Sequence, residues 1–254
     1  MTRLLKTGTY KLEVFDNEIS GELQEEVWEH LLDCEFCENF YDHSHSLWTP
    51  RTDTLYTPRN KPAGARLPIA WDEESLQERD PIVYKLWIEI NKILGNVYTL
   101  EGIQEGMNYM VNISPLPGIT KPDGSPGTPG VGWRIYCSGN EREDRGARTK
   151  AIHRDNPFMD QDQYFNIVYF PNQEWHPTWY GETLFHSDIA TTGDYLGRYH
   201  ADQKRGHPIG DVENVVEPRS GRFMVYDARY LHQHKPTAIN SFPNIGLVFR
   251  CKLK

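Results

Sequence analysis

The sequence predicts a mainly β protein with supporting helices, and three observations carry that expectation. Amphipathic helix patterns are confined to the first 97 residues. From Tyr98 onward the chain changes to short alternating runs separated by turn residues, the pattern of antiparallel strands. At 254 residues, with 38% hydrophobic and 12% aromatic content, it can bury one large core and has too much aromatic surface for disorder. A single domain is expected, with residues 1–97 as helical and loop support and 98–254 as the β core.

The first helix opens near Ser20, a capping residue, and continues through Leu23, Val27 and Leu31 with Glu22, Glu25, Glu26 and Glu29 between them. The Glu cluster reads as its solvated face. From Phe40 to Trp71, Pro50, Pro58, Pro62 and Pro68 predict an irregular, loop-like cover. A second helix follows, capped by Asp80 with Pro81 at its first position. Its apolar stripe of Val83, Leu86, Trp87, Ile90, Ile93 and Leu94 ends at Gly95 and should back a sheet. Met107 to Asn112 reads as a strand, and the Pro- and Gly-rich stretch from Ser114 to Gly132 as a long surface loop or lid. Further strands are expected at 132–137, 164–170, 182–186, 222–227 and 244–251.

The formal charge is −9, so no overall field attracts phosphate backbones or anionic lipid, and neither a nucleic-acid nor a membrane partner is expected. No run approaches the roughly 18 apolar residues of a membrane span, and Met1 to Gly8 form no signal-like apolar region, which predicts a cytoplasmic protein. The four Cys are too few for a disulfide scaffold and read as reduced. Cys34 and Cys37, with His43 and His45 behind them, allow a zinc site, against the plainer reading of two thiols on the last turn of the first helix.

Two His-x-Asp pairs stand in the chain, His153-Arg154-Asp155 and His186-Ser187-Asp188. Residues i and i+2 of a strand share a face, so either pair can offer an imidazole and a carboxylate to one ion. With one further His this makes the two-His-one-carboxylate set that suits non-haem Fe(II). His153-Arg154-Asp155-Asn156-Pro157, Ile167 to Phe170, Trp175, Gly181 to Phe185, Gly221-Arg222-Phe223, and His232 with Pro236 four residues on, together resemble the prolyl-4-hydroxylase-like family of Fe(II)/2-oxoglutarate-dependent oxygenases. The resemblance runs from about Tyr136 to Cys251, under half of the chain.

The resemblance implies a double-stranded β-helix, the cupin-like jelly roll, with the N-terminal helices packed on one sheet. It implies His153, Asp155 and His232 as metal ligands and catalytic residues, and leaves His186 and Asp188 after the Gly-Glu-Thr strand. His186 then reads as a strand-end residue near solvent, and His234 as a supporting or substrate-facing group. Fe(II) is the implied metal, 2-oxoglutarate the co-substrate and O2 the oxidant, with succinate and CO2 as co-products. An unactivated C–H of a small molecule, amino acid or peptidyl residue is the implied target, and the intact Asp155 favours hydroxylation over halogenation. Tyr169 and Tyr136 match the positions of the family's co-substrate-binding tyrosines.

One departure stands out. The family places Arg or Lys about ten to twelve residues after the distal His, where this chain has Phe242, Pro243 and Asn244. Arg250 shares the strand face of Asn244 but lies about 20 Å further along; Arg134 and Arg222 are the other candidates for pairing with the distal carboxylate. Trp175, Trp179 and Tyr180 read either as pocket-lining groups or as packing aromatics. The alternative function is a non-catalytic jelly-roll module that binds a metal or ligand and has lost 2-oxoglutarate binding.

Overall fold

The computed structural model describes residues 2–4, 10–34, 36–42, 47–56, 66–70, 72–100, 131–136, 164–187, 211–235 and 244–254. The two helix expectations hold. Helix α1 (Gly21–Asp33) is capped by Ser20, whose hydroxyl accepts from the Leu23 amide, and buries Leu23, Val27, Trp28, Leu31 and Leu32. Helix α3 (Pro81–Ile93) is capped by Asp80 with Pro81 in its first turn, and buries Val83, Leu86, Trp87 and Ile90. A short helix α2 (Glu73–Arg79), which the sequence analysis did not single out, precedes it on a reciprocal Asp72/Ser75 capping box.

The strands are β1 (Thr2–Leu4), β2 (Leu12–Phe15), β3 (Phe36–Asp42), β4 (Leu47–Tyr56), β5 (Arg66–Ala70), β6 (Tyr98–Leu100), β7 (Val131–Tyr136), β8 (Tyr164–Tyr169), β9 (Thr183–His186), β10 (Val212–Val216), β11 (Phe223–Asp227), β12 (His232–His234) and β13 (Asn244–Leu253). All pairings are antiparallel. The large sheet runs β1-β2-β11-β8-β13-β7-β5, with β6 also on β13; the small one runs β10-β9-β12; β3 and β4 form a separate hairpin. From β8 to β13 the chain crosses between the large and small sheets four times, the winding of a jelly roll.

The segment expected to be irregular contains three strands. Proline does not exclude them, because each occupies a position where its missing N–H is tolerated: Pro50 stands in the two-stranded hairpin, and Pro68 on the edge strand β5 beside a bulge. Cys37 accordingly belongs to β3, not to the last turn of α1. The strand expected at Met107 to Asn112 and most of the loop from Ser114 to Gly132 lie outside the described residues.

Burial divides the core in two. On the helix side of the large sheet, Ile167, Tyr169, Phe223, Val225, Leu247 and Phe249 pack with α1 and α3, and Trp87 meets Phe249 with ring centroids 5.4 Å apart. On the other side, Val168, Phe170, Met224, Tyr226 and Val248 face Phe185 and Val216 of the small sheet. The molecule is therefore layered as helices, large sheet, small sheet, and the space between the sheets is where a site can form.

At the start of β11, Arg222 forms a two-pronged ion pair with Asp16, at 2.6 and 2.9 Å, beside the stacked rings of Phe15 and Phe223. The guanidinium holds the Asp16 carboxyl below its usual range. Because the folded value is depressed, the pair stabilises above about pH 4 and its contribution is lost as pH falls through the lowered value. Asp16→Asn is expected to cost about 1 kcal/mol at pH 7, Asp16 being one-third exposed. Chemical denaturation of both proteins at pH 7 and pH 3 checks this: the difference should shrink at the lower pH, and an unchanged difference would count against the pair.

Candidate metal and co-substrate site

The ladder register defines two ends of the jelly roll. At one end β8 begins, β9 finishes, β11 finishes and β12 begins; at the other β8 finishes, β9 begins and β13 begins. His232 sits at the first end, fully buried, on the short connection from β11. That connection is tightly tied. Asp227 accepts from the Arg229 backbone and guanidinium, the Tyr230 amide returns to the Asp227 carbonyl, and the Tyr230 hydroxyl donates to Glu213 at 2.7 Å.

The Tyr230 carbonyl, so held, lies 2.9 Å from Nδ1 of His232. A carbonyl only accepts, so in the neutral ring Nδ1 carries the hydrogen and Nε2 carries the lone pair. This is the supporting contact by which a ligating imidazole is oriented and made more basic. Nε2 has the Tyr226 hydroxyl at 3.4 Å, and the ring lies against Phe185 and Tyr226. His234 faces the same space: its Nδ1 is 2.9 Å from the Thr183 hydroxyl, and its ring is 5.6 Å from that of His232.

From Tyr226 a single rung crosses the large sheet. Tyr226 pairs with Asn166, and Asn166 pairs with Arg250. All three are buried, and alternation puts them on the face of Val168, Met224 and Val248, toward the small sheet. Two interstrand spacings of about 4.8 Å separate Tyr226 from Arg250. Arg250 is therefore far from Asn244 along β13 but only two strands across the sheet from Tyr226, whose hydroxyl approaches His232.

The other expected co-substrate residues are not gathered here. Tyr169 lies in the helix-side cluster between Phe223 and Leu247, on the face opposite His232. Its hydroxyl is buried with no hydrogen-bond partner, and burial pushes the phenol up. It packs as a core residue on the helix side of the sheet, away from the His232 end. Tyr136 pairs with Asn244 at the far end of β13, six residues from Arg250, about 20 Å along the strand. Arg222, engaged by Asp16, is set aside as a carboxylate anchor.

His186 is buried, not a solvent-facing strand end. Trp175 and Trp179 pack edge-to-face within the β8–β9 connection, where the Trp175 Nε1 donates to the Tyr180 carbonyl, and that connection leaves from the end away from His232. They do not line the His232 end. His153, Asp155, Asp188, His43 and His45 lie outside the described residues, and Arg134, Tyr136 and Cys37 are described by their strand backbone alone. Asn166, Tyr226 and Tyr230 were not singled out by sequence reasoning, since nothing local marks an Asn or Tyr in a buried strand as facing a site.

The class of protein is thus an antiparallel jelly roll with helices on its large sheet and a buried, oriented imidazole between its sheets. No family model matches the sequence, and no curated protein matches it. Among solved structures the chain is similar to a prolyl hydroxylase from Trichoplax adhaerens in complex with a hypoxia inducible factor peptide, at 13% identity and a TM-score of 0.45 over 95% of this chain and 83% of that one. It is also similar to a Pseudomonas putida prolyl-4-hydroxylase, at 12% identity and a TM-score of 0.44 over 96% and 92%. A third is HygX from Streptomyces hygroscopicus with nickel and 2-oxoglutarate bound, at 12% and 0.43 over 96% and 83%. No helix among the described residues is long and apolar enough to cross a membrane.

Proposed function

We propose that the protein is an Fe(II)/2-oxoglutarate-dependent dioxygenase that hydroxylates an unactivated C–H of a small molecule, amino acid or peptidyl residue. The observation that carries this reading is the buried, tautomer-fixed His232, joined through Tyr226 and Asn166 to a buried Arg250 on one rung. The donor chemistry fits ferrous iron: an imidazole nitrogen here, with His153 and Asp155 as the remaining nitrogen and oxygen ligands. When bound, the metal with 2-oxoglutarate and O2 supplies the oxidant for hydroxylation, with succinate and CO2 as co-products.

The chain's own residues have separate tasks. His232 presents the Nε2 lone pair while the Tyr230 carbonyl holds the other nitrogen's proton. Arg250 is the partner for the distal carboxylate; its fork suits a planar anion, and burial strengthens the attraction. Asn166 and Tyr226 offer polar contacts between metal and guanidinium. Phe185, Phe170, Val168 and Met224 form an apolar wall that keeps water from the site. The chain also enters β8 at the His232 end, nine residues after Asp155.

Anaerobic addition of Fe(II) and 2-oxoglutarate should produce a weak visible charge-transfer band, and aerobic incubation should form succinate. Neither signal would leave the non-catalytic module as the reading. Arg250→Ala is expected to raise the KM for 2-oxoglutarate about 10- to 100-fold, the loss of a charge-assisted contact worth about 1.5–3 kcal/mol. A KM unchanged within twofold would remove Arg250 from the site.

A further inference from the structure

A second group of donors lies on the helix side, away from the jelly-roll interior. His30 and Cys34 are four residues apart at the end of α1, and Asp80 caps α3, fifty residues on. Nε2 of His30 is 2.6 Å from Oδ2 of Asp80 and 3.4 Å from Sγ of Cys34, and one donor atom from each residue falls within 4.8 Å of the others. The other Asp80 oxygen accepts from the Val83 amide, so the carboxylate is held with Oδ2 toward the pair. Asp80 is buried, while His30 and Cys34 leave one side accessible to solvent.

One ring nitrogen cannot donate to the carboxylate and also accept from the thiol. Nε2 can carry one hydrogen, yet it faces both a carboxylate oxygen and a sulfur; if that hydrogen goes to Asp80, the nitrogen has no lone pair left for the Cys34 S–H. Three donor atoms converging on one point suit a cation better than a second hydrogen bond. Nitrogen, thiolate sulfur and carboxylate oxygen together disfavour Mg2+ and Ca2+ and suit zinc, which takes this donor mixture tetrahedrally.

We propose that His30, Cys34 and Asp80 bind a divalent zinc ion that joins the end of α1 to the start of α3. Binding is ligand exchange without redox change. The thiol gives up its proton to solvent, the His30 imidazolium paired with Asp80 gives up its Nε2 proton and keeps the one on Nδ1, the thiolate and carboxylate balance the ion's two charges, and water completes the tetrahedron. Two donors at about 2.0–2.1 Å on such an ion stand about 3.3 Å apart, so Oδ2 withdraws from Nε2 by about 0.7 Å. The site does not depend on the proposed oxygenase function and shares no residue with it.

Co(II) titrated into the full-length, reduced protein under anaerobic conditions tests this. A near-ultraviolet thiolate-to-cobalt band saturating at one equivalent is expected, because the His232 site contains no sulfur. It should vanish in Cys34→Ser and persist in His232→Ala. In the unmodified protein, one equivalent of Zn(II) should slow iodoacetamide alkylation of Cys34 at least tenfold, which needs no variant to fold. Absence of the band, its survival in Cys34→Ser, its loss in His232→Ala, or unprotected alkylation would each overturn the proposal.

Discussion

His232→Ala is expected to abolish 2-oxoglutarate-dependent succinate formation, a loss larger than the about 10- to 100-fold typical of removing a supporting contact from a metal site. The imidazole has no exposure, Nδ1 is committed to the Tyr230 carbonyl, and Nε2, near the Tyr226 hydroxyl, is the atom proposed to coordinate. Because the ring also fills space between Phe185 and Tyr226, the alanine variant opens a cavity, and a fall in stability could mimic a fall in activity. His232→Gln keeps most of the volume and serves as the control. Succinate formation, far-ultraviolet circular dichroism and thermal midpoint should be measured together. A glutamine variant with native turnover would remove His232 from the metal site. Tyr226→Phe, deleting only the hydroxyl 3.4 Å from Nε2, should cost about tenfold at most.

Trp87→Ala should have the largest effect on stability, about 3–5 kcal/mol, or about 10 °C in thermal midpoint for a chain of this size. Trp87 is fully buried in the middle of α3 and packs against Phe249 of β13, the strand that pairs with β6, β7 and β8. Truncation removes the side chain through which the helix layer grips the centre of the large sheet. The proposed His232 site lies on the opposite face, so any loss of turnover should follow the unfolded fraction and disappear at low temperature. A midpoint within 1–2 °C of the parent would mean that α3 is not anchored there.

The two main helices were legible because their signals are local. Ser20 and Asp80 cap through side-chain oxygens within one turn, and the apolar stripes repeat at the helical period. The strands between 36 and 70 were not legible, because proline content reads as irregularity unless edge positions are known. Tyr169 shows a different difficulty. Strands β8 and β11 are buried on both faces, helices covering one and the small sheet the other, so alternation divides their residues into two sets without saying which set faces the site. Tyr169 and Asn166 differ by an odd number of residues and fall on opposite faces.

By itself, then, the sequence determined the capped starts and buried stripes of the two long helices, the antiparallel β character of the described strands after Tyr98, and His232 as a candidate ligand. Those depend on contacts within a few residues or on side-chain chemistry that position along the chain already reveals. The tertiary structure alone decided that Arg250 stands across the sheet from Tyr226, that Tyr169 turns toward the helices, and that Asp80 meets His30. Register and facing are set by which strands pair and which layers cover them, and those partners lie tens of residues away along the chain.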